Sequence, residues 1–133
     1  MIEERPSLLC IDDSPTVRAR LEHELAPYAR VRTAASWSDA LPLLIGEVPD
    51  CLLLDVEIPG FSGPDIAGLV RRTFGRDRRI VLVLLSSLPS AELEAARVQA
   101  KIDVAIRKTF DRRMILALRS LLTRIAGRRQ RGF

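Results

Sequence analysis

The chain has 133 residues, of which 47% are hydrophobic and 5% aromatic, and its formal net charge is +4. This length and apolar content fit one compact domain with a substantial core. No run of about 18 apolar residues is present, which excludes a membrane-spanning helix, and the acidic start lacks the apolar segment of a secretory signal. We therefore predict a cytoplasmic protein without a membrane contact.

Apolar runs alternate with helical patterns along the whole chain, and no internal repeat interrupts them. This alternation predicts an α/β fold, a doubly wound parallel sheet with helices on both faces. The predicted elements, in chain order, are strand 7–12, helix 15–27, strand 29–33, helix 36–47, strand 51–55, helix 64–74, strand 80–86, helix 90–100, strand 103–107 and helix 111–126.

Residues that favour helix starts support several of these boundaries. Pro15 and Pro64 lie where the first helical turn tolerates proline, after the cap-like residues Ser14 and Gly63. Asp111 is a candidate N-cap for the last helix. These positions predict where three of the five helices begin.

The last helix carries one apolar stripe, and its end is predicted at Gly127. The stripe residues recur at a spacing of three and four, which places them on one helix face. They are Ile115, Leu118, Leu122 and Ile125. We therefore divide the chain into a domain over residues 1–127 and a short basic C-terminal tail over residues 128–133.

Two composition features have an ordinary structural interpretation. Cys10 and Cys51 lie inside apolar strands, which predicts reduced core thiols rather than a disulfide or a metal pair. Nineteen of the 21 basic residues are arginines, and Phe133 is the only aromatic residue among the arginines at the C-terminus. Proteins that bind nucleic acid through stacking mix basic and aromatic side chains. The sequence therefore does not predict a nucleic-acid partner.

Four of the predicted strands end at a reactive group. In an open parallel sheet the carboxyl ends of the strands form the edge where ligand sites occur, so these groups are expected to lie close together. The groups, from the first strand to the last, are Asp12 with Asp13, then Asp55, then Ser86 with Ser87, then Lys108.

The chemistry of this set points to phosphoryl transfer. Three converging carboxylates, Asp12, Asp13 and Asp55, repel one another unless a cation lies between them, and their oxygens suit Mg²⁺. Asp55 can then attack phosphorus and form an aspartyl-phosphate. Lys108 and the Ser86 hydroxyl would neutralise and hydrogen-bond the phosphoryl oxygens.

Longer segments around these groups resemble the receiver domain of two-component response regulators, including the single-domain chemotaxis type. The resemblance covers almost the whole chain, and the segment 49–63 is the most specific. The matching segments are residues 10–15, 31–41, 49–63, 86–87 and 108–110.

The resemblance implies a five-stranded, flavodoxin-like sheet in the order 2-1-3-4-5. It also implies that Asp55 accepts phosphate from a sensor histidine kinase or a histidine phosphotransfer protein and so switches the binding of a downstream target. Asp13, Asp55 and the backbone carbonyl of Glu57 would ligate Mg²⁺, with Asp12 acting through water. No enzyme activity is implied beyond this phosphotransfer and its reversal by hydrolysis.

The same resemblance assigns the remaining site residues. Ser86 would move to the phosphoryl group and Lys108 would pair with it, so that these two and Asp55 form the catalytic set. Glu57 and Ser87 would modulate access to it. A carboxylate at position 57 would repel small anionic donors, although Glu57 pointing to solvent or pairing with an arginine is an equal alternative.

The chain departs from the family pattern at Trp37, Ala105, Thr109 and the glycine-free stretch 100–104. Thr109 replaces the proline that usually follows the lysine through a cis bond. A cis bond before a non-proline residue costs about 2.5–4 kcal/mol, so we predict a trans Lys108–Thr109 bond and a locally altered loop. Ala105 has no side-chain torsion to switch.

Without a switching aromatic, the response should lie in Ser86, the loop 87–90 and the helix from Ser90. The most plausible partner surface, with a homodimer as one candidate, then covers residues 90–126. Its apolar candidates, for which a core role is an equal alternative, are Leu93, Val98, Met114 and Leu121.

Two other functions remain open from the sequence. A phosphatase of the haloacid-dehalogenase type also has a strand-end aspartate with an acid two residues later, as in Asp55 and Glu57, but its acidic pair follows the lysine in sequence. A pseudo-receiver would bind partners without phosphotransfer. His23, the single histidine, lies between two glutamates on the first helix and is interpreted as a solvated residue rather than a phosphoryl relay.

Overall fold

Short apolar strands form the centre of the molecule, and amphipathic helices cover them on both sides. The structure is a computed structural model, and it describes residues 5–58, 61–74 and 79–130. The elements in chain order are β1 Ser7–Ile11, α1 Pro15–Leu25, β2 Arg30–Ala34, α2 Trp37–Gly46, β3 Cys51–Asp55, β4 Glu57–Ile58, β5 Phe61–Ser62, α3 Gly63–Phe74, β6 Val81–Ser86, α4 Ser90–Ala100, β7 Val104–Arg107 and α5 Arg112–Gln130.

Five strands pair in parallel in the order β2-β1-β3-β6-β7. Counting only these five, the order is 2-1-3-4-5, so the predicted doubly wound fold is confirmed. The register sets Cys10 opposite Leu53, and Leu54 opposite Leu84. β3 is the central strand and pairs with β1, so the strand that ends beside Asp12 and the strand that ends at Asp55 are neighbours.

A short antiparallel hairpin follows β3, and its two strands, β4 and β5, have two residues each. The sequence did not predict it, because strands of two residues carry no periodic pattern. It places Glu57 opposite Ser62 immediately before α3. The hairpin therefore connects the Asp55 strand to the next helix.

The sheet has two buried faces because successive strand residues point in opposite directions. One core contains Leu8, Cys10 and Leu53 together with α1 and α5, and the other contains Leu9 and Leu52 together with α2, α3 and α4. Strands buried on both faces appear in sequence as continuous apolar runs. This burial explains why β1, β3 and β6 were recognisable as such runs, whereas the edge strand β7 is only half-buried.

The helix starts mostly follow the predicted caps. The Ser14 hydroxyl accepts a hydrogen bond from the Val17 N–H, and the Asp111 carboxylate accepts one from the Met114 N–H at 3.1 Å. The predicted cap at Gly63 is wrong by one residue. Here the Ser62 hydroxyl accepts from the Asp65 N–H and the Asp65 carboxylate accepts from the Ser62 N–H, a reciprocal pair that fixes the start of α3.

The last helix is longer than predicted, and the expected stop at Gly127 is wrong. α5 continues through this glycine to Gln130. A glycine inside a helix costs only about 1 kcal/mol, and the arginines that follow are good helix formers. The division into a domain over 1–127 and a tail over 128–133 stays a prediction.

Other predicted boundaries shift by one or two residues. The helix predicted over 90–100 and the strand over 51–55 have those bounds, whereas the first helix ends at Leu25 rather than position 27. Helix ends are the least specified part of such patterns because terminal turns depend on local hydrogen bonds.

The two cysteines lie in the core, as predicted. Cys10 and Cys51 are free and buried, which confirms them as core thiols. Burial raises the pKa of the Cys10 thiol to about 12, so it stays protonated at neutral pH. Among the described residues, no helix combines the length and the apolar character needed to cross a membrane.

The candidate partner residues separate into core and surface. Val98 is 60% exposed on α4. The other three candidates are buried and belong to the two cores, so the core alternative holds for them. They are Leu93, Met114 and Leu121.

Candidate functional site

The carboxyl ends of β1, β3 and β7 bring one lysine against two aspartates. Lys108 Nζ lies 2.6 Å from Asp12 Oδ2 and 3.1 Å from Asp55 Oδ2. All three side chains are largely buried, at 15%, 4% and 14% exposure. These residues are 96 and 53 positions apart along the chain, so only the parallel sheet brings them together.

Asp13 completes an acidic cluster with Asp12 and Asp55. One carboxylate oxygen from each residue can be chosen so that the three lie within 4.8 Å of one another. Asp12 is buried, Asp55 is half-buried and Asp13 is exposed, so the cluster opens to solvent on one side. Clustered carboxylate oxygens are a donor set that suits a hard divalent cation such as Mg²⁺.

The electrostatics of Lys108 reflect two opposing effects. Burial disfavours the charged ammonium and lowers its pKa, whereas the hydrogen bonds and charges of Asp12 and Asp55 favour it. The carboxylates outweigh the burial, and the pKa of Lys108 is raised. The lysine is therefore held as a cation at neutral pH.

The start of α1 holds Asp12 from both its side chain and its main chain. The Ser14 N–H donates to Asp12 Oδ1 at 2.9 Å, and the Arg18 guanidinium donates to the Asp12 carbonyl at 2.8 Å. Arg18 was not predicted as a site residue. The available signal was its position one turn after Ser14 at the start of the helix, which points its side chain back towards the strand end.

Ser86 and Ser87 lie at the end of β6 but differ in burial. Ser86 is 5% exposed, its hydroxyl accepts a hydrogen bond from the Leu88 N–H at 3.1 Å, and its carbonyl accepts from the Lys108 N–H at 2.7 Å. Ser87 is exposed. The main chains that carry Ser86 and Lys108 are thus joined directly at the edge of the cluster.

The loop after Lys108 is ordered without a proline. Every peptide bond among the described residues is trans, which confirms the prediction for Lys108–Thr109. The Thr109 N–H donates to the Arg107 carbonyl, and its hydroxyl donates to Asp111 at 2.8 Å. Phe110 has a φ of 55°, in the left-handed region. That this loop is altered relative to other receivers stays a prediction.

Glu57, a predicted site residue, and His23, which was predicted to be solvated, stand apart from this geometry. The backbone of Glu57 forms part of β4, but its side chain lies outside the described residues, so its contacts stay a prediction. His23 is exposed on α1, as expected for a solvated helix residue.

The chain belongs to the response regulator receiver family. The family model described as the response regulator receiver domain matches residues 8–119. The chain is therefore a receiver domain of two-component signal transduction, and the haloacid-dehalogenase-type phosphatase is set aside.

Curated relatives and solved structures agree with this assignment. The chain is 32% identical over 120 residues to the transcriptional regulatory protein AfsQ1 of Streptomyces coelicolor, covering 90% of this chain and 52% of AfsQ1. It is 31% identical over 120 residues to the response regulator MprA of Mycolicibacterium vanbaalenii, covering 88% and 50%. The chain spans about half the length of these curated relatives.

The chemotaxis protein CheY4 of Vibrio cholerae has a similar fold. Its solved structure superimposes with a TM-score of 0.77 at 22% identity, over 89% of this chain and 98% of CheY4. The five-stranded order and the helices on both faces are therefore those of a receiver.

Proposed function

We propose that this receiver accepts a phosphoryl group on Asp55 from a phosphohistidine of a sensor histidine kinase or a histidine phosphotransfer protein. The observation that carries the proposal is the position of Lys108, whose ammonium contacts both Asp12 and Asp55 beside a third carboxylate. A lysine that contacts two carboxylates can stabilise the additional negative charge that a phosphoryl group would bring to one of them.

The chemical step is a displacement at phosphorus. Asp55 Oδ forms a bond to the phosphorus atom while the phosphorus–nitrogen bond to the donor imidazole breaks, and the imidazole leaves after taking up a proton. Charge then accumulates on the phosphoryl oxygens, so fixed positive groups stabilise the transition state. Lys108 is a cation that already contacts Asp55.

Asp12, Asp13 and Asp55 would hold Mg²⁺, with the Glu57 carbonyl as a further ligand and Asp12 acting through water. When bound, Mg²⁺ supplies positive charge next to the transferring phosphoryl oxygens. The carboxylates of this chain orient the ion, and Lys108 keeps Asp12 and Asp55 from repelling each other in its absence.

Ser86 and Lys108 would bind the phosphoryl group after transfer. The Ser86 hydroxyl, which now accepts from the Leu88 N–H, would turn to donate to a phosphoryl oxygen. Because the Ser86 carbonyl also accepts from the Lys108 N–H, movement of one residue affects the other. This is the route by which phosphorylation would change the surface near the loop 87–90 and so switch a downstream partner.

The remaining parts of the proposal concern surroundings and access. We place the protein in the cytoplasm, where a kinase can reach it, and retain the face over 90–126, with Val98 as its exposed apolar residue, as the candidate for a homodimer or downstream contact. Ser87, exposed at the site edge, and Glu57 would modulate the approach of water and small donors.

The decisive experiment is labelling with acetyl phosphate and with a phosphohistidine donor, followed by intact mass and peptide mapping. The parent should gain one phosphoryl group on Asp55, and Asp55→Asn or chelation of Mg²⁺ should abolish it. Asp39→Asn, which alters an exposed acid on α2, is the matched control and should label normally. A folded parent that binds Mg²⁺ but takes no label from any donor would favour the pseudo-receiver instead.

A further inference from the structure

The residue two positions after Lys108 has a backbone conformation that needs an explanation. Phe110 has a φ of 55°, which L residues with a bulky side chain rarely adopt. The other described non-glycine residue with positive φ, Lys101, is the C-cap of α4, where this conformation is the usual end of a helix. Phe110 precedes a helix instead, so the reason for its conformation lies elsewhere.

One arginine from α1 holds Phe110 by both its main chain and its ring. The Arg20 guanidinium donates to the Phe110 carbonyl at 2.8 Å and lies 5.0 Å from the centre of the Phe110 ring. On the other side, the Phe110 N–H donates to Met114 Sδ at 3.3 Å. The left-handed residue is thus fixed from two directions.

The position of this contact connects it to the proposed chemistry. Arg20 belongs to α1, the helix that begins beside Asp12 and Asp13, and Phe110 belongs to the loop that carries Lys108. Arg20 and Phe110 are 90 residues apart, so their contact fixes the two segments that bring Asp12 and Lys108 to 2.6 Å. No proline restricts this loop, which leaves side-chain contacts to hold it.

We infer that Arg20 is a positioning residue for phosphoryl transfer. Its hydrogen bond and ring contact with Phe110 hold the loop 108–111, so that the Lys108 ammonium stays beside Asp55. The inference rests on the proposed function. Arg20 is exposed and does not touch the acidic cluster among the described contacts, so it would act only through Phe110 and Lys108.

The chain offers a matched control for a purely stabilising role. Arg119 of α5 lies 5.0 Å from the centre of the Tyr28 ring and pairs with Glu24 of α1 at 3.3 Å. This arginine also connects α5 to the α1 region through a ring and an ion pair, and its described hydrogen bond, ion pair and ring contact are not with residues 108–111. Arg119→Ala therefore removes a similar contact without releasing the loop.

The test compares Arg20→Ala, Arg20→Lys and Arg119→Ala in acetyl phosphate labelling at saturating Mg²⁺. Arg20→Ala should lower the labelling rate at saturating donor by about five- to tenfold, the size expected for loss of a cation–π contact and a charged hydrogen bond. The donor concentration at half-maximal rate should change less than twofold. Arg119→Ala should stay within twofold of the parent, and Arg20→Lys, which keeps a donor for the carbonyl, should lie between the parent and Arg20→Ala.

A second measurement does not depend on labelling. The Lys108 amide, which donates to the Ser86 carbonyl, should exchange its hydrogen faster in Arg20→Ala than in Arg119→Ala at equal global stability. If Arg20→Ala does not fold, Arg20→Gln takes its place in both measurements.

Equal labelling and equal exchange in Arg20→Ala and Arg119→Ala would overturn the inference. So would rate losses that simply follow the loss of stability in both variants. A parent that is never labelled on Asp55 would instead contradict the proposed function, and the exchange comparison would still decide whether Arg20 holds the loop.

Discussion

The two ends of the parallel sheet both carry buried or half-buried carboxylates, but they balance the negative charge differently. At the amino end, Asp103 lies 2.8 Å from the Arg71 guanidinium and 3.3 Å from that of Arg79. The same carboxylate accepts a hydrogen bond from the Leu82 N–H at 2.8 Å. One acid therefore faces two cations and a main-chain donor of the same molecule.

At the carboxyl end, the carboxylates outnumber the side-chain cations in the described contacts. Three carboxylates gather within 4.8 Å, and Lys108 is the side-chain cation bonded to two of them. Arg18 donates to the Asp12 carbonyl rather than to its carboxylate. In the described contacts, Asp103 is thus paired with two cations, whereas Asp12 and Asp55 share one lysine beside Asp13. A charge-balanced carboxylate holds the fold together, whereas an unbalanced cluster is suited to receive a cation.

The largest effect is expected from Asp103→Ala, which tests the structural end. The substitution leaves the Leu82 N–H without its acceptor and Arg71 without its carboxylate, and should lower the free energy of unfolding by about 2–3 kcal/mol. Chemical denaturation measures this loss. Asp103→Asn, which keeps an acceptor for Leu82, should lose less. Mg²⁺ affinity should be unchanged, and a weakened affinity in Asp103→Ala would remove the separation between the two ends.

The next effect is expected at the carboxyl end. Asp13→Asn removes one carboxylate from the cluster and should weaken Mg²⁺ binding by about tenfold, because fewer anionic oxygens remain for the ion. Because Asp13 is exposed, the stability without Mg²⁺ should hardly change. Calorimetric titration and thermal unfolding with and without Mg²⁺ measure the two quantities. If Mg²⁺ raises the melting temperature equally in Asp13→Asn and the parent, the ion binds elsewhere.

The contribution of Lys108 to the free energy of unfolding should be lost at alkaline pH. The pKa of Lys108 is raised in the folded state because its carboxylate contacts outweigh its burial. Its stabilising contribution is therefore complete below the unfolded pKa of about 10.4 and is lost as the pH rises through the higher folded value. The unfolding free energy of the parent should fall more steeply in this range than that of Lys108→Met.

The buried thiols act in the same direction, since burial raises the pKa of Cys10 to about 12. Both proteins contain these thiols, so the comparison cancels their effect. Identical slopes above about pH 10 in the parent and Lys108→Met would contradict the contribution assigned to the Lys108 contacts.

The smallest effect concerns Glu57. If its carboxylate adds to the negative charge at this end, acetyl phosphate is a slow donor, whereas a docked kinase overcomes the repulsion by proximity. Glu57→Gln should then speed labelling by acetyl phosphate a few-fold, on the scale of one screened charge, and transfer from a kinase less. Asp39→Asn, which removes the charge of an exposed acid on α2, serves as the comparison. Rates that respond equally to both donors would assign Glu57 to solvent.

Local patterns in the sequence determined the architecture and predicted that Asp12, Asp13, Asp55 and Lys108 meet at one edge of the sheet. The apolar runs before Asp12, at Asp55 and before Ser86 predicted strands because strands buried on both faces exclude polar residues. Parallel pairing then requires their reactive ends to lie at one edge. The cap at Ser14 and the α4 helix over 90–100 depend on neighbouring residues alone, and both predictions were confirmed.

Tertiary structure alone decided the features that depend on distant residues. Lys108 contacts two acids that are 53 and 96 residues away, Arg20 holds a carbonyl 90 residues away, and Arg71 meets Asp103 across 32 residues. A sequence pattern specifies which side chains arrive at an edge, but sheet register and helix packing decide which charges meet and at what distance.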